Sequence, residues 1–491
     1  MKIVDWFARK LGYVKSGMKR RNYAAANTDR LVFNWPTVNT SADAELRGSL
    51  TELRARSRQL ARDNDYAKRF LALCKVNIIG PQGILVQSKA TLKSDTERLD
   101  TRLNKAIEAG WYKWGRPGTC TADGTLSWVD AQGLFVQTLA TDGEVLIQKI
   151  KSAENQLSLK FLEADQLDSR KNEVLSNGSE IRMGVEVDND GKPAAYWLFP
   201  KHPGDAMVAS VSSTQSKRIP ADQIIHAFVK ERPSQTRGVP WMHSAMLRLK
   251  MLGGYEEAEL VAARVCASKM GFFETPTGDE FVGEAIEAGT GAKITTSEPG
   301  TFGELPVGQK FTSWDPTHPA GNFDPFTKAI LRGVASGVNV SYHSLTGDLT
   351  DVNYSSIRSG TLEQRDNWRI LQRFVIDHFC QPVFEEWLFI FAMLNGLGVS
   401  EFDRMSDPDW NVRGWEWVDP LKDINASVVA IENGLSTRTL ELAKQGLDFE
   451  EVLDQLAFEK DLAAEKGVVF PGVTMDTGNG NQNNQVSSAA A

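Results

Sequence analysis

Across residues 41–79, SADAELRGSLTELRARSRQLARDNDYAKRFLALCKVNII, apolar residues recur at helical spacing among many arginines, which predicts helices. Ser49 or Thr51 would cap one of them and Asn64 or Asp65 the next. GPQG at 80–83 breaks the pattern, and further helical stretches are expected at about 93–115 and 127–141. Alternation then takes over in EVLIQKIK, LSLKFLEA, MGVEVDNDGKPAAYWLF and IIHAFVK, which reads as strands with a turn at Asn189–Gly191. This half of the chain is α+β.

The second half is dominated by helical periodicity. After RPSQTRGVP comes WMHSAMLRLKMLGGYEEAELVAARVCASKM, residues 241–270, with Pro240 suited to a first helical turn. About thirty residues at ~1.5 Å each predict a rod of ~45 Å. Gly253 and Gly254 fall at its centre, where each costs ~1 kcal/mol relative to alanine. A kink or the close approach of another backbone would account for them. Residues 271–321 form a Gly/Thr/Pro-rich insert with strand-like AKITT and QKFTSW, and FDPFTKAILRGVASG then predicts a shorter helix carrying Gly333 and Gly337. Next, GVNVSYHSLTGDLTDVNYSSIRSG (337–360) turns small and polar, as a catalytic loop or a mobile, solvent-facing loop would. A long helix is expected over about 356–396, bent at Pro382, and two or three short ones over 423–467. The tail TGNGNQNNQVSSAAA is low-complexity and expected to be disordered.

Composition narrows the function. A chain of 491 residues accommodates about two to four structural units, and a net charge of −8 argues against a basic nucleic-acid clamp. Thirteen tryptophans suggest extensive packing surfaces or interfaces. Cys74, Cys120, Cys266 and Cys380 are far apart without CxxC spacing, so neither a disulfide framework nor a zinc site is expected, and a reducing, cytosolic setting fits. The most apolar run, WLFIFAML, is far short of the ~20 residues a membrane span requires. The basic start, MKIVDWFARKLGYVKSGMKRR, lacks the features of a signal peptide. It reads as a solvated starter helix with a flexible arm, or as an arm that contacts nucleic acid or an acidic partner.

No phosphate-binding loop, nucleophile elbow, HExxH or calcium loop occurs, and DNDG (188–191) reads as a hairpin turn. None of the six histidines has a histidine partner at i+3 or i+4, so no metal or cofactor is expected. His343 with Asp348, Asp351 and Ser341 or Ser344 offers the ingredients of a hydrolytic group. A loop is a poor frame for a nucleophile that must be held within ~0.5 Å, which favours the non-catalytic reading.

Four collinear stretches, RDNDYAKRFLALCKVNIIGPQGI, SQTRGVPWMHSAMLRLKMLGGYEEAELVAARV, GVNVSYHSLTGDLTDVNYSSIRSG and IENGLSTRTLELAKQGLDFEEVLDQLAFEK, together resemble the portal protein family of lambda-type tailed phages. The resemblance spans about 40–467. It implies a portal-type α+β fold: a basic N-terminal arm (1–40), a wing (41–239), a first stem helix (240–270) and a clip (271–321). A second stem helix (322–338), a tunnel loop (339–355), a kinked helix and wing return (356–422), a helical crown (423–467) and a disordered tail (468–491) would follow. It further implies a homo-oligomeric ring of about twelve subunits at one capsid vertex of the virion, assembled in the host cytoplasm. Double-stranded DNA would pass through without sequence readout. The terminase large subunit and the head-completion, connector and capsid proteins would be its partners.

On that reading Tyr342, His343, Ser344, Thr346, Asp348, Thr350, Asp351 and Asn353 would face DNA, and Gly253, Gly254, Gly333 and Gly337 would serve subunit packing. An acidic conduit avoids strong phosphate contacts that would stall movement. The rival expectations are a hydrolase built on His343 and its neighbouring carboxylates, or another capsid-associated protein such as a scaffold.

Overall fold

A computed structural model describes residues 36–151, 156–176, 178–205, 215–267, 271–274, 285–286, 293–294, 310–313, 323–350, 353–398, 401–415, 420–445, 447 and 449–468. Polar caps decide where the first helices start. Ser41 accepts from the Ala44 N–H (3.2 Å) to open α1 (Ala42–Arg47), α2 (Leu50–Asp63) follows, and Asn64 accepts from Ala67 (3.0 Å) to open α3 (Asp65–Ile78). Ser49 occupies the cap position of α2 without a side-chain cap bond.

β1 (Leu85–Gln87) leads into a hairpin of β2 (Thr91–Leu92) and β3 (Asp95–Leu99), where the sequence pattern predicts helix from about 93. α4 (Thr101–Trp114) begins only after Asp100 accepts from Leu103, so the cap overrides the periodicity. A reciprocal Ser127–Asp130 capping box opens α5 (Trp128–Asp142).

Two antiparallel sheets follow. β4 (Glu144–Lys151) and β5 (Leu157–Leu162) are adjacent, and β6 (Glu173–Val174), β7 (Glu180–Arg182), β8 (Val185–Val187), β9 (Pro193–Leu198) and β10 (Lys217–Pro220) form a meander. The expected turn falls between β8 and β9, closed by Gly191 N–H to Asp188 O (3.0 Å). β11 (Ile224–Phe228) returns to the first sheet and makes β4 its central strand.

Between β11 and the first long helix lies a buried ion network. The Glu144 carboxylate, fully buried, accepts from Arg54 Nη1 (3.1 Å), Arg237 Nε (2.9 Å), His226 Nε2 (3.1 Å) and the Gly238 N–H (3.1 Å), and Arg237 Nη1 also donates to Met183 O (2.7 Å). Burial pushes Glu144 up, but Arg237, His226 and Arg54 outweigh it and hold its carboxyl well below 4.5. Next to it, Gly143 sits at φ +86 with the Val239–Pro240 backbone where a Cβ would go. This joint fixes the direction in which the chain leaves the sheets.

α6 (Met246–Ala267) is the first long helix. It is shorter than the expected 241–270 rod, because residues 241–245 form turns, with the N–H groups of Trp241 and His243 bonded to Ala140 O and Pro240 O. Its 22 residues make ~33 Å. Residues 268–270 lie outside the described residues. Of the insert, β12 (Gly271–Glu274), β13 (Ala285–Ile286), β14 (Lys293–Ile294) and β15 (Lys310–Ser313) are described. β12 pairs antiparallel with β15, so the segment leaves and returns as a ribbon before α7 (Phe323–Gly337).

After α8 (Tyr342–Thr346) comes α9 (Tyr354–Val375), a π turn over Ile376–Cys380, and α10 (Gln381–Leu394). The Gln381 N–H bonds Ile376 O five residues back, so the irregularity expected at Pro382 is taken up one turn earlier. β16 (Asp409–Asn411) pairs with β1, and α11 (Pro420–Glu432), α12 (Arg438–Ala443) and α13 (Phe449–Lys466) complete the described chain.

The core forms where α3, α4, α5, the first sheet and α10 converge. Trp111 is flanked by Trp114 (4.7 Å between ring centroids), Trp128 (5.2 Å), Trp387 (5.2 Å) and Phe384 (5.4 Å). Of the two uses expected from tryptophan content, packing surfaces and interfaces, this cluster is the first: among the described residues every tryptophan is buried or half-buried.

Candidate functional site

α6 and α7 pack against each other as the two sides of the insert. Met246, Leu249 and Leu252 are buried on one side of the first, with Met242 and Ala245 of the turn before it, and Leu331, Val334 and Ala335 on the second, with Val338 just past its end. Farther out, Tyr255 stacks on Phe323 (5.7 Å) and meets Phe326 edge-on (5.0 Å). The opposite face of α6 is also apolar. Leu247 (71% exposed), Met251 (67%), Gly254, Ala258 and Val261 follow a 4-3-4-3 spacing and lie on one stripe, which the described residues of this chain leave open.

Of the four expected packing glycines, Gly254 lies on the open stripe and Gly253, half-buried, lies off it. At Gly253 and Gly254 an added Cβ would meet nothing within 4 Å, and α6 runs unbroken through both. Gly333 instead faces Arg248 of the same chain, and Gly337 faces Ser244, whose hydroxyl donates to Gly337 O (2.8 Å). The second pair therefore serves contact between α6 and α7 within one chain.

The polar stretch after α7 is more structured than a loop. Ser341 caps α8, accepting from the Ser344 N–H (3.2 Å), and its hydroxyl meets that of Ser344 (2.8 Å). Ser344 donates its hydroxyl to Gln364 of α9 (3.0 Å) and its carbonyl accepts from Arg69 of α3 (3.2 Å). Leu345 is buried, Thr346 bonds Tyr342 O (2.9 Å), and Gly347 terminates the helix at φ +76.

Beyond Gly347 a knot forms on Asp348. Its carboxylate accepts from the Thr350 hydroxyl (2.6 Å) and N–H (3.0 Å) and from the Tyr342 hydroxyl (2.9 Å), with Lys328 of α7 at 3.8 Å. The Thr350 and Tyr342 bonds hold the Asp348 carboxyl well below the usual carboxylate range. Leu349 and Thr350 face solvent, as does Asn353; Asp351 lies outside the described residues.

Among the described residues this arrangement does not assemble a nucleophile and base. His343 Nδ1 donates to the Asp348 backbone carbonyl (2.8 Å), not to a carboxylate, and the Ser344 hydroxyl is directed to Gln364. The remaining grouping with metal-ligand chemistry among the described residues is Glu163, Asp165 and His202. Arg58 lies against both carboxylates and Arg54 against Asp165, so guanidinium groups already supply the cationic charge there. No helix of the described residues is long and apolar enough to cross a membrane.

The family described as phage portal protein, lambda family, matches residues 28–372. A probable portal protein of Halomonas phage phiHAP-1 is 36% identical over 450 residues, covering 89% of this chain and 86% of that protein. Portal protein B of Escherichia phage lambda is 23% identical over 471 residues, 86% of each chain. A chain from the neck of an empty GTA particle aligns with a TM-score of 0.44 at 13% identity, covering 81% of this chain and 93% of that one.

Proposed function

Because this chain belongs to the lambda family of phage portal proteins, a structural family of the phage capsid, we propose that about twelve copies assemble into a ring at one capsid vertex and conduct double-stranded DNA. The observation that carries the ring is the open apolar stripe on α6. A helix buried on one face and apolar on the other is suited to a neighbour on each side, and repetition of such a contact with rotation closes a ring. Gly253 and Gly254 would let the neighbouring backbone approach closely.

In this reading α6 and α7 are the stem, and 271–321 is the clip that docks the terminase large subunit and later the head-completion and connector proteins. The antiparallel pairing of β12 with β15 supports this, since it joins the two ends of the insert into one unit. The stretch from Tyr342 to Asn353 faces the DNA. Its α8 half is anchored on α3, α7 and α9, and the tip at Leu349–Thr350 meets the sliding duplex. At −8 per chain, twelve copies total about −96, so the conduit as a whole repels phosphate and does not grip it. Movement along an arbitrary sequence needs no base contact.

Negative-stain images of the purified chain test the proposal. Particles with a central hole are expected. A folded, strictly monomeric species at micromolar concentration would overturn it.

A further inference from the structure

α9 carries Arg358, Arg365, Arg369 and Arg373, spaced by seven, four and four residues. At 100° per residue these fall on one face of the helix, over ~22 Å of its length. The guanidinium groups of Arg365 and Arg369 both lie over the ring of Trp415, 5.8 and 5.7 Å from its centroid. Arg413, two residues before that tryptophan, reaches the end of α3 at Val76 O and Asn77 Oδ1 (3.3 Å). Desolvation, then the charges of Arg369 and Arg413, lower the pKa of Arg365, as expected where like charges are crowded.

The counter-ions of Arg369 and Arg373 are weakly held, whereas Arg358 and Asp423 form a part-buried pair (33% and 22% exposed). Asp366 pairs with Arg369 (2.6 Å), Asp377 with Arg373 (2.9 Å) and Asp423 with Arg358 (2.8 Å), while Glu363 lies off the stripe; Glu416 and Asp419 are outside the described residues. Arg369 and Arg373 are 55% and 75% exposed, and such surface pairs contribute only ~0–1 kcal/mol. A phosphate, which accepts two parallel N–H bonds from one guanidinium, can replace those carboxylates at little cost.

We propose that this face of α9, with Arg413 and Trp415 beside it, is a second DNA contact that binds the phosphate backbone of duplex DNA outside the channel. Arg373 lies ~28 Å along the helix from Tyr354, so the stripe leads away from the channel-facing stretch. Duplex DNA presents one charge per ~1.7 Å of axis, so a ~22 Å row of arginines meets several phosphates without reading sequence. The proposal rests on the conduit reading for the identity of the polyanion, and on the side chains for the site itself.

The test uses relaxed, covalently closed circular duplex, which cannot thread a preformed ring, with the full-length protein over a series of salt concentrations. Arg369→Gln with Arg373→Gln should weaken binding and flatten the slope of log K against log salt by about 2. A charge-matched control, Arg62→Gln with Lys68→Gln, should leave that slope in place. Unchanged binding in the first variant, or an equal loss in the control, overturns the proposal. Polyglutamate is the second probe. If it binds through these arginines while DNA does not, the surface belongs to an acidic protein partner and the proposal also fails. Monomeric protein can be assayed in the same way, so absence of rings would remove the conduit reading without deciding this one.

Discussion

Glu144 sits among Arg54, Arg237 and His226 with no access to water, and removing one charge from such a group leaves the others uncompensated. Glu144→Gln should therefore destabilise the subunit by about 3–5 kcal/mol, measured as a shift in urea midpoint at constant slope. The pH dependence has a definite sign. The folded-state pKa of Glu144 is depressed, so its stabilisation is complete above the unfolded value near 4.5 and is lost as pH falls through the folded value. Wild type should lose stability on acidification below about 4.5 more steeply than the glutamine variant; equal slopes would show that Glu144 is not ionised in the fold. At this scale the sequence is hard to read. Nothing in linear order joins 54, 144, 226 and 237, although Arg54 shares the buried stripe of its helix with Leu50 and Ser57, an arginine where an apolar residue is expected. The catalytic ingredients around His343 were legible as residue types, yet only the fold shows that their bonds go to Gln364 and to a backbone carbonyl.

Elements were easier to predict than their ends. The strands with strict alternation and the long helices occur where periodicity places them. The misses arise where a cap or turn overrides the pattern, as at Asp100 before α4 and over 241–245 before α6. Burial separates the glycines of α6 and α7 in a way spacing does not, and this gives a paired prediction. Gly337→Leu would press on Ser244 and Ala245 and should lower subunit stability by about 1–3 kcal/mol. Gly254→Leu meets open space and raises helix propensity by up to ~1 kcal/mol, so thermal unfolding of the subunit should hold or improve while ring formation falls. Size-exclusion chromatography beside thermal unfolding separates the two; normal rings from Gly254→Leu would remove the stripe from the interface. The insert is tested at the same scale. Replacing 277–291, between β12 and β14, by a short Gly-Ser linker should leave rings intact and abolish terminase docking, and normal packaging by that variant would refute the clip assignment.

For the whole molecule, the decisive question is whether the stretch after α7 touches moving DNA. Thr346 and Thr350 are unsuited to a clean test, because they hold Tyr342 and Asp348 and their replacement would unpick the turn. Leu349 is 62% exposed beside that knot, which makes Leu349→Arg the better probe. In a ring the change places one added cation per subunit at the same height in the channel, where each can form a charge-assisted bond to phosphate. Such contacts weaken steeply with salt, since each phosphate neutralised contributes ~0.9 to the slope. Rings should assemble normally, and packaging into reconstituted heads should slow at low ionic strength and recover toward the wild-type rate as salt rises. Leu349→Gln, matched in size and uncharged, should package at the wild-type rate at both ionic strengths. Identical rates for the arginine variant and wild type at low salt would mean that the tip does not meet DNA.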